Sequence, residues 1–198
     1  KGLVQLHAHA AEGDMSGELR FDIRRVPGLA MRVQLKEVDS RSLYTGGTAP
    51  TAAAAPKISM RAQVAGTGTT LRRMLETSNG AFLLTAGAGT LPIHTGYGFE
   101  RIAGNLLLTL LPGRRTNDFN QLQCAAAHFT IAKGVATSSD GIVLRLQSMD
   151  ILGSGAANLG TGQILFGYRA VRRSFFSLSL LGLTSGVAKV TGTLSNPT

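Results

Sequence analysis

Apolar residues recur at every second position through much of this chain. Val4, Leu6, Ala8 and Ala10 alternate with Gln5, His7 and His9. Leu19, Phe21 and Ile23 alternate with Arg20, Asp22 and Arg24, and Met31, Val33 and Leu35 alternate with Arg32, Gln34 and Lys36. Ile58, Met60, Ala62 and Val64 resume the period. Successive side chains of a strand point to opposite faces, so this pattern predicts strands with one apolar and one polar side. Turns at 13–17 and at Pro27-Gly28 separate the first three strands, which predicts an antiparallel meander.

The stretch from Cys124 to Leu159 repeats the theme most densely. Phe129 and Ile131 alternate with polar or small neighbours, and Lys133-Gly134 ends that run. Ser139-Asp140-Gly141 is a second turn signal, since Asp-Gly is a strong hairpin cue. Ile142, Leu144 and Leu146 then share a face, opposite Arg145 and Gln147. Gly153 and Gly155 mark a bulge or a close backbone approach. Gly160-Thr-Gly162 leads to a strand with Ile164, Phe166 and Tyr168 on one face, and Leu178, Leu180, Val187 and Val190 fall in the last two strands.

Helical periodicity is confined to two places. Thr69 or Thr70 can cap a short helix in which Leu71, Met74 and Leu75 share a face, ended by Asn79-Gly80. A strand over 81–88 follows. Phe99, Ile102, Ala103, Leu106, Leu107 and Leu110 give 96–111 a wide apolar face, weakened by Gly104 and stopped by Pro112-Gly113. The segment 116–123 reads as a polar loop. Thr45 to Pro56, TGGTAPTAAAAP, has no apolar period and reads as a flexible connector. The predicted organisation is an N-terminal strand unit over 1–44, read as the end of a preceding β repeat, a flexible linker over 45–56 and a C-terminal β-rich domain over 57–198. The predicted fold is mainly β: a long, twisted antiparallel sheet, a groove-like meander with two short covering helices.

Composition narrows the partners. Of 198 residues 43% are hydrophobic and 16% charged, which argues for a packed core and against disorder. The net charge of +9 is dispersed, with Arg24-Arg25, Arg72-Arg73, Arg114-Arg115 and Arg172-Arg173 as the only basic pairs. No nucleic-acid-binding signature accompanies it, so nucleic acid is not an expected partner. Cys124 is the single cysteine, expected as a small buried hydrophobe. The chain starts at Lys1 within a strand pattern, without a signal peptide and without the run of about 18 apolar residues that a membrane helix needs. It reads as a soluble piece of a longer protein.

Chemistry-bearing constellations are sparse. His7 and His9 share a strand face and could chelate a metal, but no third ligand accompanies them, so two solvated histidines are the expectation. Gly66-x-Gly68 lacks the residues of a phosphate loop or dinucleotide site and reads as a turn pair. No triad, no HExxH and no paired acid and base can be nominated, so no catalytic residue, metal or cofactor is expected. Arg172-Arg173-Ser-Phe-Phe176 reads first as a strand end, although its cation–aromatic mixture also suits anionic head groups.

Several ordered motifs carry a resemblance. The segment from Gly66 to Gly80 is similar to a "GxGxxLxxLLxxxNG" pattern, departing from it at Met74. The run from Cys124 through Gly153-Ser-Gly155 to Leu159, and the ending Val190-Thr-Gly-Thr-Leu-Ser-Asn-Pro197, also match in order. Together they resemble the C-terminal region of the AsmA family, bacterial envelope proteins related to TamB and to bridge-like lipid-transfer proteins, over roughly 58–197. The resemblance implies a periplasmic β-groove that binds or conducts phospholipid, or another acyl lipid, between the inner and outer membranes in support of outer-membrane biogenesis. It implies membrane association through parts of the full-length protein outside this segment, with an anchor in the inner membrane. The lipid-facing candidates are Phe129, Ile131, Ile142, Leu144, Leu146, Ile164, Phe166 and Tyr168, and the head-group candidates are Arg172 and Arg173. The rival expectation is a scaffold that docks an envelope protein at a sheet edge.

Overall fold

A computed structural model describes residues 2–10, 13–23, 26–43, 55–90, 121–147, 149–172, 187–193 and 196–197. The alternating segments form one open antiparallel sheet of 11 strands. The strands are β1 (Gly2–Ala10), β2 (Gly13–Asp22), β3 (Gly28–Asp39), β4 (Lys57–Thr67), β5 (Asn79–Ala86), β6 (Gly89–Thr90), β7 (Gln121–Ala132), β8 (Val135–Leu146), β9 (Met149–Asn158), β10 (Ile164–Arg172) and β11 (Val187–Val190). They pair in chain order from β1 to β11, with β6 set aside against β7. A separate small ladder joins β12 (Gly192–Thr193) to β13 (Asn196–Pro197). β3 pairs with β4 from Gly28↔Thr67 to Asp39↔Lys57, so the strands before and after the connector lie in one sheet.

Registers keep the apolar positions in phase. Val4 meets Leu19, Leu19 meets Met31, Met31 meets Val64 and Val64 meets Gly80. Further along, Phe82 meets Phe129, Ala127 meets Ile142, Ile142 meets Gly153 and Gly153 meets Tyr168. A one-residue slip at any step would turn a strand's apolar set to the other side. Two buried clusters lie on this common face. One holds Leu122, Leu146, Met149 and Ile151, and the other Ile131, Ala136, Ala157 and Ile164.

Several local expectations are corrected. The segment 13–17 is strand rather than turn: Met15 and Gly17 continue the apolar set of Leu19 and Phe21. Ser139-Asp140-Gly141 does not end a strand. It forms a bulge inside β8, between Ser138↔Gly155 and Ile142↔Gly153, with Asp140 at φ +59°. Asp and Gly both accept positive φ, which serves a bulge as well as a turn. Gln121–Gln123 belongs to β7, not to a loop. Cys124 alternates with Ala125, Ala127 and Phe129 and so lies on the polar face opposite Arg145, exposed rather than buried, while a register shift between Leu122 and Cys124 brings Leu122 to the apolar face.

Helix is scarce. A 3-10 turn covers Ser40–Leu43, and α1 covers Leu71–Glu76, where the Thr70 hydroxyl caps the Arg73 amide as expected. Asn79-Gly80 opens β5 instead of ending the helix, which stops at Thr77. None of its residues is buried, so α1 is not a lid over the sheet. The second expected helix, over 96–111, and Leu178 and Leu180 lie outside the described residues.

Candidate functional site

The candidate surface is the apolar face, which among the described residues is packed toward one end of the strand order and exposed toward the other. All eight lipid-facing candidates fall on it. Leu146, Ile131 and Ile164 are packed inside the clusters, at 0%, 7% and 9% exposure. Ile142, Leu144, Phe129, Phe166 and Tyr168 are half-buried around them. On the same face at the β1 side, Val4, Leu6, Phe21 and Met31 are 54%, 55%, 40% and 41% exposed. Those four carry the open surface and were not among the nominated residues. Alternation identifies their face, but only the fold shows that packing stops before it reaches them.

Aromatic rings run along the packed part. Phe82 and Phe129 lie 6.2 Å apart between ring centres, Phe129 and Phe166 meet edge to face at 6.0 Å, and Phe166 and Tyr168 follow at 6.3 Å. These separations suit offset and T-shaped contact. The Phe166 ring lies over Gly155 of β9, where a side chain would displace it. Burial among these rings pushes the Tyr168 hydroxyl pKa up.

One rim of the face is tied by backbone hydrogen bonds. The Gly68 amide donates to the Pro27 carbonyl at 2.8 Å, and the Thr77 hydroxyl donates to the Thr67 carbonyl at 2.6 Å. The Gly134 amide donates to Ser78 and the Leu159 amide to Gly134, both at 2.8 Å. The Lys133 amide donates to the Asn79 side chain at 3.1 Å. Lys133 and Gly134 have φ of +48° and +76°, the two positive values of a type I′ hairpin turn. On α1, Arg73 and Arg72 both bond Glu76 and hold its carboxyl below the usual range, Arg73 contributing most.

His7 and His9 lie on the polar face as expected, beside an open hollow of 480 Å³ that includes Asp14 and Lys36. His9 Nδ1 lies 2.9 Å from Asp14 Oδ1. Among the described residues no three His, Cys, Asp or Glu side chains are placed to hold a metal ion. Arg145 bonds Asp150 at 3.1 Å, which raises the arginine pKa further. Among the described residues no helix is long and apolar enough to cross a membrane. The Arg172 side chain and Arg173 lie outside the described residues.

No family model matches this chain, and no curated protein or solved structure matches it. The functional reading therefore rests on the apolar face.

Proposed function

We propose that this chain is a non-enzymatic lipid-binding segment whose open sheet seats acyl chains on its apolar face. The observation that carries this reading is the continuation of one in-register apolar face, without packing, past the clusters to Val4, Leu6, Phe21 and Met31. Covering apolar surface yields about 25 cal/mol per Å², and a hydrocarbon chain supplies that cover without asking for hydrogen bonds. A strip that crosses neighbouring strands suits a long unbranched tail better than a compact solute. The AsmA resemblance supports the same reading and extends it. In that extension the chain is a periplasmic part of a longer, inner-membrane-anchored protein that passes phospholipid toward the outer membrane and aids its assembly.

The test is native mass spectrometry of the purified chain, with bound lipid extracted and identified. Phospholipid in stoichiometric amount, lost when Leu6 and Met31 are both changed to Glu, is the expected result. A folded wild-type chain that carries no lipid, and takes up none from phosphatidylethanolamine–phosphatidylglycerol vesicles, would sink the reading.

A further inference from the structure

We infer that His7 and His9 form a site for a divalent transition-metal ion of the copper, nickel or zinc class, with Asp14 holding one of the two rings in its ligand form. The site lies on the polar face, so it does not rest on the acyl-chain reading. It stands above the sheet, so it does not depend on what lies beside β1 in the sheet plane.

His7 and His9 are two residues apart on a strand whose register with β2 is unbroken, opposite Ser16 and Asp14. Alternation sends both rings to one face, and two residues of a strand rise about 6.6 Å. Two exposed imidazoles at that spacing can converge on one ion at the usual metal–nitrogen length of about 2.1 Å.

The decisive geometry is at His9, whose Nδ1 lies 2.9 Å from Asp14 Oδ1. An ionised carboxylate only accepts, so the proton of that bond sits on Nδ1. In the neutral ring Nε2 then carries the bare lone pair that a metal takes. Metal-bound histidines characteristically donate their other ring nitrogen to a carboxylate, which fixes tautomer and orientation and raises ligand basicity. Asp14 is therefore a positioning residue and not a third ligand. That role agrees with the absence, among the described residues, of three His, Cys, Asp or Glu side chains placed round one ion.

The surroundings suit water as the remaining ligands. Ser16 and Gln34 also line the 480 Å³ hollow, and their neutral oxygens can accept hydrogen bonds from metal-bound water. Lys36 is the one Lys or Arg among the described residues of that lining. His9 faces Asp14 and Asp14 faces Lys36, so the carboxylate stands between the ammonium group and the site. Imidazole donors favour Cu(II) over Ni(II) and Zn(II), whereas Mg(II) seeks oxygen ligands.

The experiment titrates the full chain carrying Cys124→Ser, because the exposed thiol would compete for the same ions. CuCl2, ZnCl2 and MgCl2 are added in separate calorimetric titrations, at a pH above the ordinary imidazole pKa of about 6.5. The expected result is one Cu(II) per chain, bound more tightly than Zn(II), with no uptake of Mg(II). His7→Ala and His9→Ala should each lose that equivalent, and Asp14→Ala should weaken it about 10–100-fold. His128→Ala, at an exposed histidine of β7, should leave it unchanged. All four positions are exposed, so melting temperatures should match that of the parent chain. Long-range proton–nitrogen NMR spectra of the metal-free chain should place the His9 proton on Nδ1, a preference lost in Asp14→Ala. No Cu(II) uptake, uptake that survives His7→Ala or His9→Ala, or uptake that falls with His128→Ala would overturn the proposal. So would a His9 proton on Nε2 in the parent chain, or equal affinity in Asp14→Ala. Lipid content is measured separately, so this result and the acyl-chain reading stand or fall independently.

Discussion

Phe166 occupies the space that any side chain at Gly155 would need. A Cβ built on Gly155 would lie 2.2 Å from Phe166 Cδ1 and 2.4 Å from the Leu165 carbonyl oxygen. Ring and backbone both oppose it, and the edge-to-face contact with Phe129 depends on that ring. Gly155→Ala should therefore destabilise the chain by about 1–3 kcal/mol, as overpacking does. Gly153→Ala should cost less, because its nearest neighbours are side-chain atoms, Tyr168 Cδ1 at 2.7 Å and Ile142 Cβ at 3.2 Å. Urea unfolding of the two variants gives the order, and equal midpoints would contradict it.

Leu146 and Leu6 share a face but not a job. Leu146 is fully buried, so Leu146→Ala should lose about 2–5 kcal/mol through a cavity in its cluster. Leu6→Ala leaves no cavity and should stay within about 0.5 kcal/mol of wild type, as other surface changes do. Paired thermal melts and lipid-uptake assays separate the roles: Leu6→Ala should weaken uptake without lowering the melting temperature.

Gly134 answers two demands at once. Its φ is +76°, and a Cβ there would lie 2.6 Å from the Glu76 carbonyl oxygen and 2.7 Å from that of Leu75. Gly134→Ala should cost at least about 1 kcal/mol from the backbone alone. It should also raise amide exchange at Leu159, whose N–H bonds the Gly134 carbonyl. Unaltered exchange there would show that the rim tolerates the change.

Asp39 gives the chain an acid limb. Its carboxylate accepts from Arg41 Nε at 2.9 Å and from the Arg41 amide at 2.9 Å, and these bonds, the side-chain ones foremost, hold its pKa below the ordinary 3.8. A carboxyl whose folded pKa is depressed stabilises fully above its unfolded pKa. That contribution fades as pH falls through the folded value. Asp39→Asn should lower the melting temperature at neutral pH, and the gap to wild type should shrink as pH falls below about 4. A gap constant with pH would show that the carboxylate's charge contributes nothing.

The architecture was legible where the period of two was clean. Leu19, Phe21, Met31, Val33, Ile58 and Met60 declared both their strands and their shared face. The errors cluster where one residue type serves two geometries. Asp140-Gly141 supports a bulge as readily as a hairpin, and the choice is settled by the pairing of β8 with β9, a long-range property. Residue type alone buries Cys124, although alternation with Ala125, Ala127 and Phe129 places it on the polar face. The shift that returns Leu122 to the apolar face is not announced by side-chain hydrophobicity. The apolar face was readable, and its division into packed and open parts was not, because packing depends on which strands meet. Leu146 and Leu6 look alike in sequence, and only neighbours distinguish them.

An open sheet packed at one end has no uniform strength. The β7–β10 strands lie under the Leu146 and Ile131 clusters, while β1 and β2 are held mainly by hydrogen bonds to neighbours in their own plane. Local openings follow buried contact density, so this sheet should breathe like a page turned from its free corner. Amides of β1 should exchange fastest, those of β8 and β9 slowest, with β3 and β4 between. Whatever settles on the open strip would then act as a splint, and its arrival would register as slowed exchange in β1 and β2.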